Sequence, residues 1–356
     1  MYKPKIDEFI NEKEILSYIG ITTKRKNYDN ISRTLAYQNI NEKEILSYIG
    51  ITTKRKNYDN ISRTLAYQKY YFQHREMKWA YLASMVSRNA GWSMTDLQGK
   101  WFRKSLTEEQ RHLLFLTYER ANWMIFQDAF PQLLIYSLSK KFNRPLFHLL
   151  PHLQVSRFME EEWLSFWKEP DLDRLMKALI INEQNVIQKP ILEKEPYKSH
   201  VFKSIPYKFQ DLFHFSTVLF PTLEGSLFGF SVYDFNEITN RINLGKKLAW
   251  LLFESGLYEK FVVFSQSVSH TGSRYDYEFL FPDKRKKETP LLRTTYPIIS
   301  HSLDEGKEDW FHGQNTKKWF KEIKIPKKYE LTFWFKHKQD QLHMLTLLQE
   351  YWKQRK

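Results

Sequence analysis

Apolar residues recur at helical spacing through most of the chain after Ile61. The stretch REMKWAYLASMVSRNAGW shows this best, because four of its apolar residues share one helical face: Trp79, Leu82, Ala83 and Val86. We expect Gly91 to end this helix, since glycine adopts the backbone conformation of a helix C-terminus without strain. Arg88 would then lie in the last turn, where a cation complements the helix dipole.

A second helix is predicted in TEEQRHLLFLTYERANWMIFQDAFPQLLIYSLSKKF. Thr107 and Gln110 have the spacing of a capping box, which marks its N-terminus. From Leu113 to Ile125 the segment is apolar nearly all round, a pattern typical of a buried central helix. We expect Pro131 to kink this helix or to begin another.

Further helices are predicted in PHLQVSRFMEEEWLSFWKE, DLDRLMKALIINEQNVI, NLGKKLAWLLFESG and the C-terminal KQDQLHMLTLLQEYWKQRK. The segments FVVFSQSV and YDYEFLF have strand-like composition and flank the turn SHTGSR, so a small β-hairpin near 261–281 is one interpretation, and a helix followed by a loop is the other. The pattern as a whole predicts a mainly α protein, a multi-helix globular bundle.

A 29-residue stretch occurs twice without a difference, at 10–38 and 40–68. Architectural repeats normally diverge and need three or more units, so we interpret the copy as a tandem duplication and residues 1–39 as an extension. In each copy NEKEILSYIG predicts a helix, capped by Asn11 or Asn41 and ended by Gly20 or Gly50.

Proline-containing stretches divide the remainder of the chain. Residues 188–209 contain three prolines among mixed charges and are predicted to connect an N-terminal helical part, 40–187, to a basic C-terminal part, 210–356. A second such stretch, 282–316, is expected to form a long loop, and loops of that length are often functional.

Composition narrows the classes of function. Cysteine is absent, which excludes disulfides, thiolate metal sites and a cysteine nucleophile and favours a cytoplasmic location. The N-terminus lacks the pattern of a secretory signal, and no apolar stretch is long enough to predict a membrane span. The net charge of +14 fits nucleic acid or an anionic surface as partner, with the cluster Lys284, Arg285, Lys286 and Lys287 as the candidate contact; an ordinary solvated surface is the alternative.

Two polar groups are candidates for chemistry. Glu119, Arg120, Asn122 and Asp128 interrupt the apolar central helix, and buried charges must be paired. They form either a pocket, with Glu119 as general base and Arg120 as anion binder, or an internal salt-bridge network.

The turn HTGSRYDYE is the other candidate group. His270 with Asp276 or Glu278 could act as an acid–base pair, while the backbone amides, Ser273 and the Arg274 guanidinium could bind phosphate. Arg88 and Asn89 are candidates to join the same ligand-binding pocket. A turn rich in glycine and hydroxyl residues also forms without any ligand. No metal-binding, P-loop or dinucleotide motif is present, so we predict no metal and no cofactor.

Several segments carry a resemblance: NYDNISRTLAYQ, WAYLASMVSRNAGWSMTDL, TYERANWMIFQDAFPQLL and HTGSRYDYEFLFP. They resemble a family of uncharacterised proteins from bacilli, classed as a domain of unknown function with the number twenty-five fifteen. The resemblance runs from about Asn57 to the C-terminus and implies a cytoplasmic bacterial protein with one family domain. It also makes Asn60, Ser62 and Arg63 of the second copy the residues to test.

Two functions follow as expectations. The first is a basic helical protein that binds nucleic acid or another anionic partner. The second is an enzyme or small-ligand protein whose pocket joins Glu119 and Arg120 to the 270–278 turn. A structure in which Glu119, Arg120 and Arg274 converge on one cavity would favour the second.

Overall fold

The computed structural model describes residues 41–193, 217–232, 234–282, 288–303 and 308–354. The protein is mainly helical, with a single two-stranded sheet in these residues, which confirms the predicted fold class. The helices run as follows: α1 Glu42–Lys56, α2 Asn60–Gln73, α3 Lys78–Asp96, α4 Lys100–Ser105, α5 Glu108–Phe142, α6 Arg157–Lys168, α7 Leu172–Ile187, α8 Ile238–Phe253, α9 Tyr258–Ser267, α10 Tyr275–Glu278, α11 Leu292–Thr295, α12 Lys317–Phe320 and α13 Thr332–Gln354.

Helix starts agree with the capping signals, whereas two helix ends do not agree with the glycine signals. Asn41 caps α1 by accepting a hydrogen bond from the Lys43 amide at 3.0 Å, and Thr107 and Gln110 form the predicted capping box of α5. Gly50 and Gly91, however, lie inside α1 and α3. Arg88 is therefore a buried residue within α3 and does not complement a helix C-terminus. The predictions for the first copy, residues 10–38, lie outside the described residues.

The central helix α5 continues through Pro131 as one 35-residue helix. A proline inside a helix costs about 3 kcal/mol through its missing N–H and its steric clash. Burial of the neighbouring Phe130, Leu133 and Leu134 offsets this cost. The helix ends at Asn143, whose φ of 51° is left-handed.

The β-hairpin of the described residues lies outside 261–281, so the other interpretation of that segment, a helix followed by a loop, is the correct one. Strand β1, Thr217–Pro221, pairs antiparallel with β2, Leu227–Ser231, and residues 261–281 contain α9 and the short α10 instead. The strand-like composition was misleading because Phe261, Val262 and Phe264 also suit a buried helical face, which is where they lie.

One large apolar core draws on both halves of the chain. Trp79, Phe130 and Trp163 belong to the same buried cluster as Leu248 and Phe261. Residues 188–193 extend α7 as a π-helical turn, and 194–209 lie outside the described residues, as do 283–287 with the cluster Lys284–Lys287. In the part that the structure describes, no helix is both long and apolar enough to span a membrane.

Candidate functional site

Two cavities flank the central helix α5. The first, of about 510 Å³, is lined by Phe115 and Glu119, which are four residues apart and therefore share a face. The second, of about 590 Å³, is lined by Arg120, Met124 and Asp128 from the neighbouring face. We call them the Glu119 cavity and the Asp128 cavity, and together they contain three of the four polar residues predicted on this helix.

A buried ion pair forms the inner wall of the Glu119 cavity. Arg63 of α2 donates from Nη2 to Glu119 Oε2 at 2.5 Å, and the two side chains are only 1% and 7% exposed. Asn57 Oδ1 accepts from Arg63 Nη1 at 3.3 Å, and Asn57 donates to the Trp123 carbonyl at 3.1 Å. The salt-bridge interpretation thus applies to Glu119, with Arg63 as its partner.

The second carboxylate oxygen of Glu119 faces an imidazole. Oε1 lies 3.7 Å from His301 Nε2, too far for a hydrogen bond. The His301 side chain is 8% exposed, and its Nε2 makes no hydrogen bond to the described part of the chain. A polar pair at this separation is suited to a bridging water or ligand group.

A second ion pair lies at the mouth of the cavity. Asp59 caps α2 by accepting from the Ser62 amide at 2.6 Å, and Arg293 donates to its two oxygens at 2.7 and 3.2 Å. Burial by itself would raise the pKa of Asp59, but the hydrogen bonds from Arg293 and Ser62 outweigh it and hold the pKa below its ordinary value. The contact joins α2 to α11 across the cavity.

The remaining walls are apolar. The rings of Phe115 and Tyr296 stack with centroids 3.7 Å apart, and the Tyr296 hydroxyl donates to the Met94 carbonyl at 2.9 Å. Tyr58 and Ile298 line the cavity with more than half of their surface exposed. The cavity therefore combines two balanced ion pairs with aromatic and aliphatic surface.

His270 does not line this cavity, but it supports Asn60, which does. Asn60 donates to the Ser87 carbonyl at 2.8 Å, so its Oδ1 must accept from His270 Nε2, at 2.9 Å. Burial lowers the pKa of His270 to about 4, although Asp276 opposes this effect from 3.5 Å. The imidazole is therefore neutral at neutral pH.

Gly91 is required at the point where these side chains meet. A Cβ atom there would lie 2.4 Å from Asn60 Oδ1 and 2.9 Å from the His270 ring. The glycine serves close packing between α2, α3 and the 270–278 turn. This explains why it does not end α3.

The other polar residues of the turn are occupied within the protein. Asp276 accepts from Trp92 Nε1 and the Thr271 amide, both at 3.0 Å. Ser273 Oγ donates to the Thr289 carbonyl at 2.9 Å, and Arg274 donates to Asp96 at 2.5 Å. Burial alone would lower the pKa of Arg274, but Asp96 and Tyr277 raise it above its usual value. Burial raises the pKa of Asp96 to about 6 although Arg274 opposes this effect, so the ion pair is charged at neutral pH.

The single pocket expected from the sequence is therefore divided. Glu119, Arg120 and Arg274 do not converge, because each lines a different cavity, and that of Arg274 has a volume of only about 40 Å³. The turn still supports the Glu119 cavity indirectly, since the Leu292 amide at its wall donates to the Thr271 carbonyl at 3.0 Å.

Three further predicted residues hold the backbone. Arg88 donates to the Val268 carbonyl at 3.0 Å, and burial lowers its pKa to about 10. Asn89 accepts from the Leu219 amide at 3.0 Å, which ties β1 to α3. Asn122 donates to the Tyr118 carbonyl one turn earlier in α5. These contacts position helices and the hairpin.

Sequence reasoning missed Asp59, Arg293 and His301. Asp59 and Arg293 are 234 residues apart, and only the fold brings them together. The asparagine–arginine pair of NISR pointed to the correct neighbourhood, since Asn60 and Arg63 both belong to the site. No group of three or more His, Cys, Asp or Glu residues suited to a metal ion occurs in the described residues.

Comparison with known proteins agrees with the resemblance found in the sequence. The family described as "Protein of unknown function (DUF2515)" matches residues 55–336. The chain is 51% identical over 341 residues to the "Uncharacterized protein YppC" of Bacillus subtilis (strain 168), which covers 96% of this chain and 97% of that protein. No solved structure matches. With a match over most of its length, the chain belongs to the DUF2515 family.

Proposed function

We propose that the protein binds a small neutral ligand in the Glu119 cavity. The observation that carries this proposal is the buried Arg63–Glu119 pair, whose second carboxylate oxygen lies 3.7 Å from His301 Nε2, a nitrogen that makes no hydrogen bond within the described residues. Buried ion pairs are costly to maintain, and a concave, largely apolar site with a few convergent polar groups is the usual form of a ligand pocket.

The charges and walls of the cavity indicate the class of ligand. Glu119 is balanced by Arg63 and Asp59 by Arg293, so the site attracts neither anions nor cations strongly. The stacked Phe115 and Tyr296 rings favour a planar molecule. An N–H group on that molecule can donate to Glu119 Oε1, which makes neutral aromatic N–H donors the best fit.

Calorimetric titration with indole and 1-methylindole tests this proposal. A hydrogen bond to a charged group contributes about 1.5–3 kcal/mol, so we expect 1-methylindole, which has no N–H, to bind at least about tenfold more weakly. Equal affinities would show that Glu119 makes no hydrogen bond to the ligand. Absence of binding by both compounds would refute the proposal for neutral aromatic ligands.

Matched surface variants place the site. Ile298 lines the cavity and Leu348 does not, yet each is 51% exposed, so neither substitution disturbs the core. We expect Ile298→Glu to abolish indole binding and Leu348→Glu to leave it unchanged. Equal effects would place the binding elsewhere.

The second candidate function is binding of nucleic acid or another anionic partner, which the net charge led us to expect. The segment 317–328 has six exposed lysines: Lys317, Lys318, Lys321, Lys324, Lys327 and Lys328. Its single acidic residue, Glu322, pairs with Lys177 at 2.5 Å. These six lysines support binding of an anionic partner, as the cluster 284–287 does in the sequence. That cluster lies outside the described residues.

Salt dependence tests the second candidate. Each phosphate contact that is lost lowers the slope of log K against log salt by about 0.9 for duplex DNA. We expect glutamine substitutions at Lys317, Lys318, Lys324 and Lys327 to reduce this slope, and the same change at the exposed Lys43 and Lys54 of α1 to have no effect. Absence of DNA binding by the unaltered protein at low salt would dismiss this candidate.

A further inference from the structure

The Asp128 cavity is separate from the site described above, and its floor is a fixed hydrogen-bond network. Asp128 Oδ1 accepts from Gln132 Nε2 at 2.7 Å and from Asn182 Nδ2 at 2.6 Å. Asn182 Oδ1 in turn accepts from Ser156 Oγ at 2.8 Å and from Trp310 Nε1 at 2.9 Å. These contacts determine the orientation of every amide in the network.

The network is supported from the protein interior. Trp163 is fully buried, and its Nε1 donates to Gln132 Oε1 at 2.9 Å. Asp128 and Asn182 are buried as well. The floor of the cavity is thus preorganised, and a ligand would bind without first ordering it.

We propose that the Asp128 cavity binds a small polyhydroxylated ligand, a monosaccharide or a cyclic polyol. Hydroxyl groups both donate and accept, and the lining contains amide and imidazole groups of the same double character: Gln154, Asn185, Gln188, His312 and Gln314. The amides of Asn185, Gln188 and Gln314 each donate one N–H within the protein, to the Ile181 carbonyl, Glu193 and the Trp310 carbonyl, and these contacts fix how they are oriented. The indole of Trp310 adds a flat apolar surface, held in place by Phe158 with ring centroids 5.2 Å apart. The Asp128 cavity has a volume of about 590 Å³, which is within the range of small-molecule sites.

The charges of the lining disfavour ionic ligands. Asp128, Glu193, Glu308 and Asp309 give a majority of carboxylates, which repel phosphates and other anions. Arg120 and Lys189 lie on the same walls and oppose a cation. A neutral ligand with many hydroxyl groups is subject to neither repulsion.

The backbone at the lip of the cavity is strained. Gln154 has a φ of 59°, in the left-handed region, although it is not a glycine. Such a conformation costs a non-glycine residue free energy and persists where it has a use. Here it places a glutamine on the cavity wall.

A glycine substitution at the strained Gln154 can test ligand binding separately from folding. Gln154→Gly removes the lining amide and relieves the backbone strain, so we expect the protein to remain folded. Loss of one hydrogen bond should weaken sugar affinity about five- to tenfold. Asn143→Gly is the matched control, because Asn143 is also left-handed, with a φ of 51°, and ends α5 away from the cavity.

The experiment is a titration of the full chain with myo-inositol, D-glucose and D-ribose, with spermidine and glucose 6-phosphate as charged comparisons. We expect saturable binding of at least one neutral polyol, weakened by Gln154→Gly and unchanged by Asn143→Gly. Preferential binding of spermidine or of the phosphorylated sugar would overturn the assignment of ligand class. Absence of polyol binding at millimolar concentration, or equal effects of the two glycine variants, would overturn the site, whatever the outcome at the Glu119 cavity.

Discussion

The Arg63–Glu119 pair allows a decisive test of how this protein maintains charge in its interior. Glu119→Leu would leave the Arg63 guanidinium, 1% exposed, without a counter-charge. Breaking a buried ion pair in this way costs about 3–5 kcal/mol, a large fraction of the roughly 5–15 kcal/mol that stabilises a typical domain. Arg63→Met would leave the Glu119 carboxylate buried and should cost a similar amount.

The double variant Arg63→Met with Glu119→Leu is expected to behave differently. Apolar residues of similar volume avoid the desolvation cost of both ions, so its free energy of unfolding should be within about 1 kcal/mol of the unaltered protein or above it. Urea unfolding followed by tryptophan fluorescence measures all four proteins of this double-mutant cycle. If a single variant fails to fold, the stability of the double variant still decides the outcome.

Two results would refute the reasoning. One is a loss of less than about 1 kcal/mol in either single variant, which would mean that the interior already solvates the orphaned charge. The other is a double variant as unstable as the sum of the singles, which would show that the two side chains act independently. A stable double variant that no longer binds indole would indicate that the pair serves binding.

Three further predictions follow from the structure. Gly91→Ala should destabilise the protein by about 1–3 kcal/mol through overpacking against Asn60 and His270, whereas Gly50→Ala, with open space around it, should stabilise it by about 1 kcal/mol; equal urea-unfolding midpoints would contradict this. Because His270 stays neutral down to about pH 4 in the folded protein but takes up a proton near its ordinary pKa of 6.5 when unfolded, acidification from about pH 7 to pH 5 should cost about 2 kcal/mol of stability. A His270→Asn variant should lack this loss, and a gain in stability on acidification would show that His270 is charged with Asp276. Removal of residues 10–39 should leave the thermal unfolding midpoint unchanged, and a clear decrease would show that the first copy contributes to the fold.

Much of the helical architecture could be predicted because it depends on local rules. The capping box of Thr107 and Gln110 and the cap at Asn41 are satisfied within three residues, so their geometry follows from the sequence. The apolar run from Leu113 to Ile125 likewise predicted a buried central helix. The polar residues within this helix need hydrogen-bonding or charged partners. The sequence identified these polar residues but not their partners, which come from other parts of the chain.

The tertiary structure decided the features that depend on distant contacts. Gly91 lies within a helix because Asn60 and His270 pack against it, and no local signal distinguishes this use of glycine from a helix end. Arg63, rather than a neighbour in α5, pairs with Glu119 across 56 residues of chain. The sequence by itself therefore determined most of the helices, the family and two buried carboxylates, Glu119 and Asp128. The division of those residues between two cavities arises only when α5 is surrounded, because side chains on adjacent faces of one helix meet different neighbours.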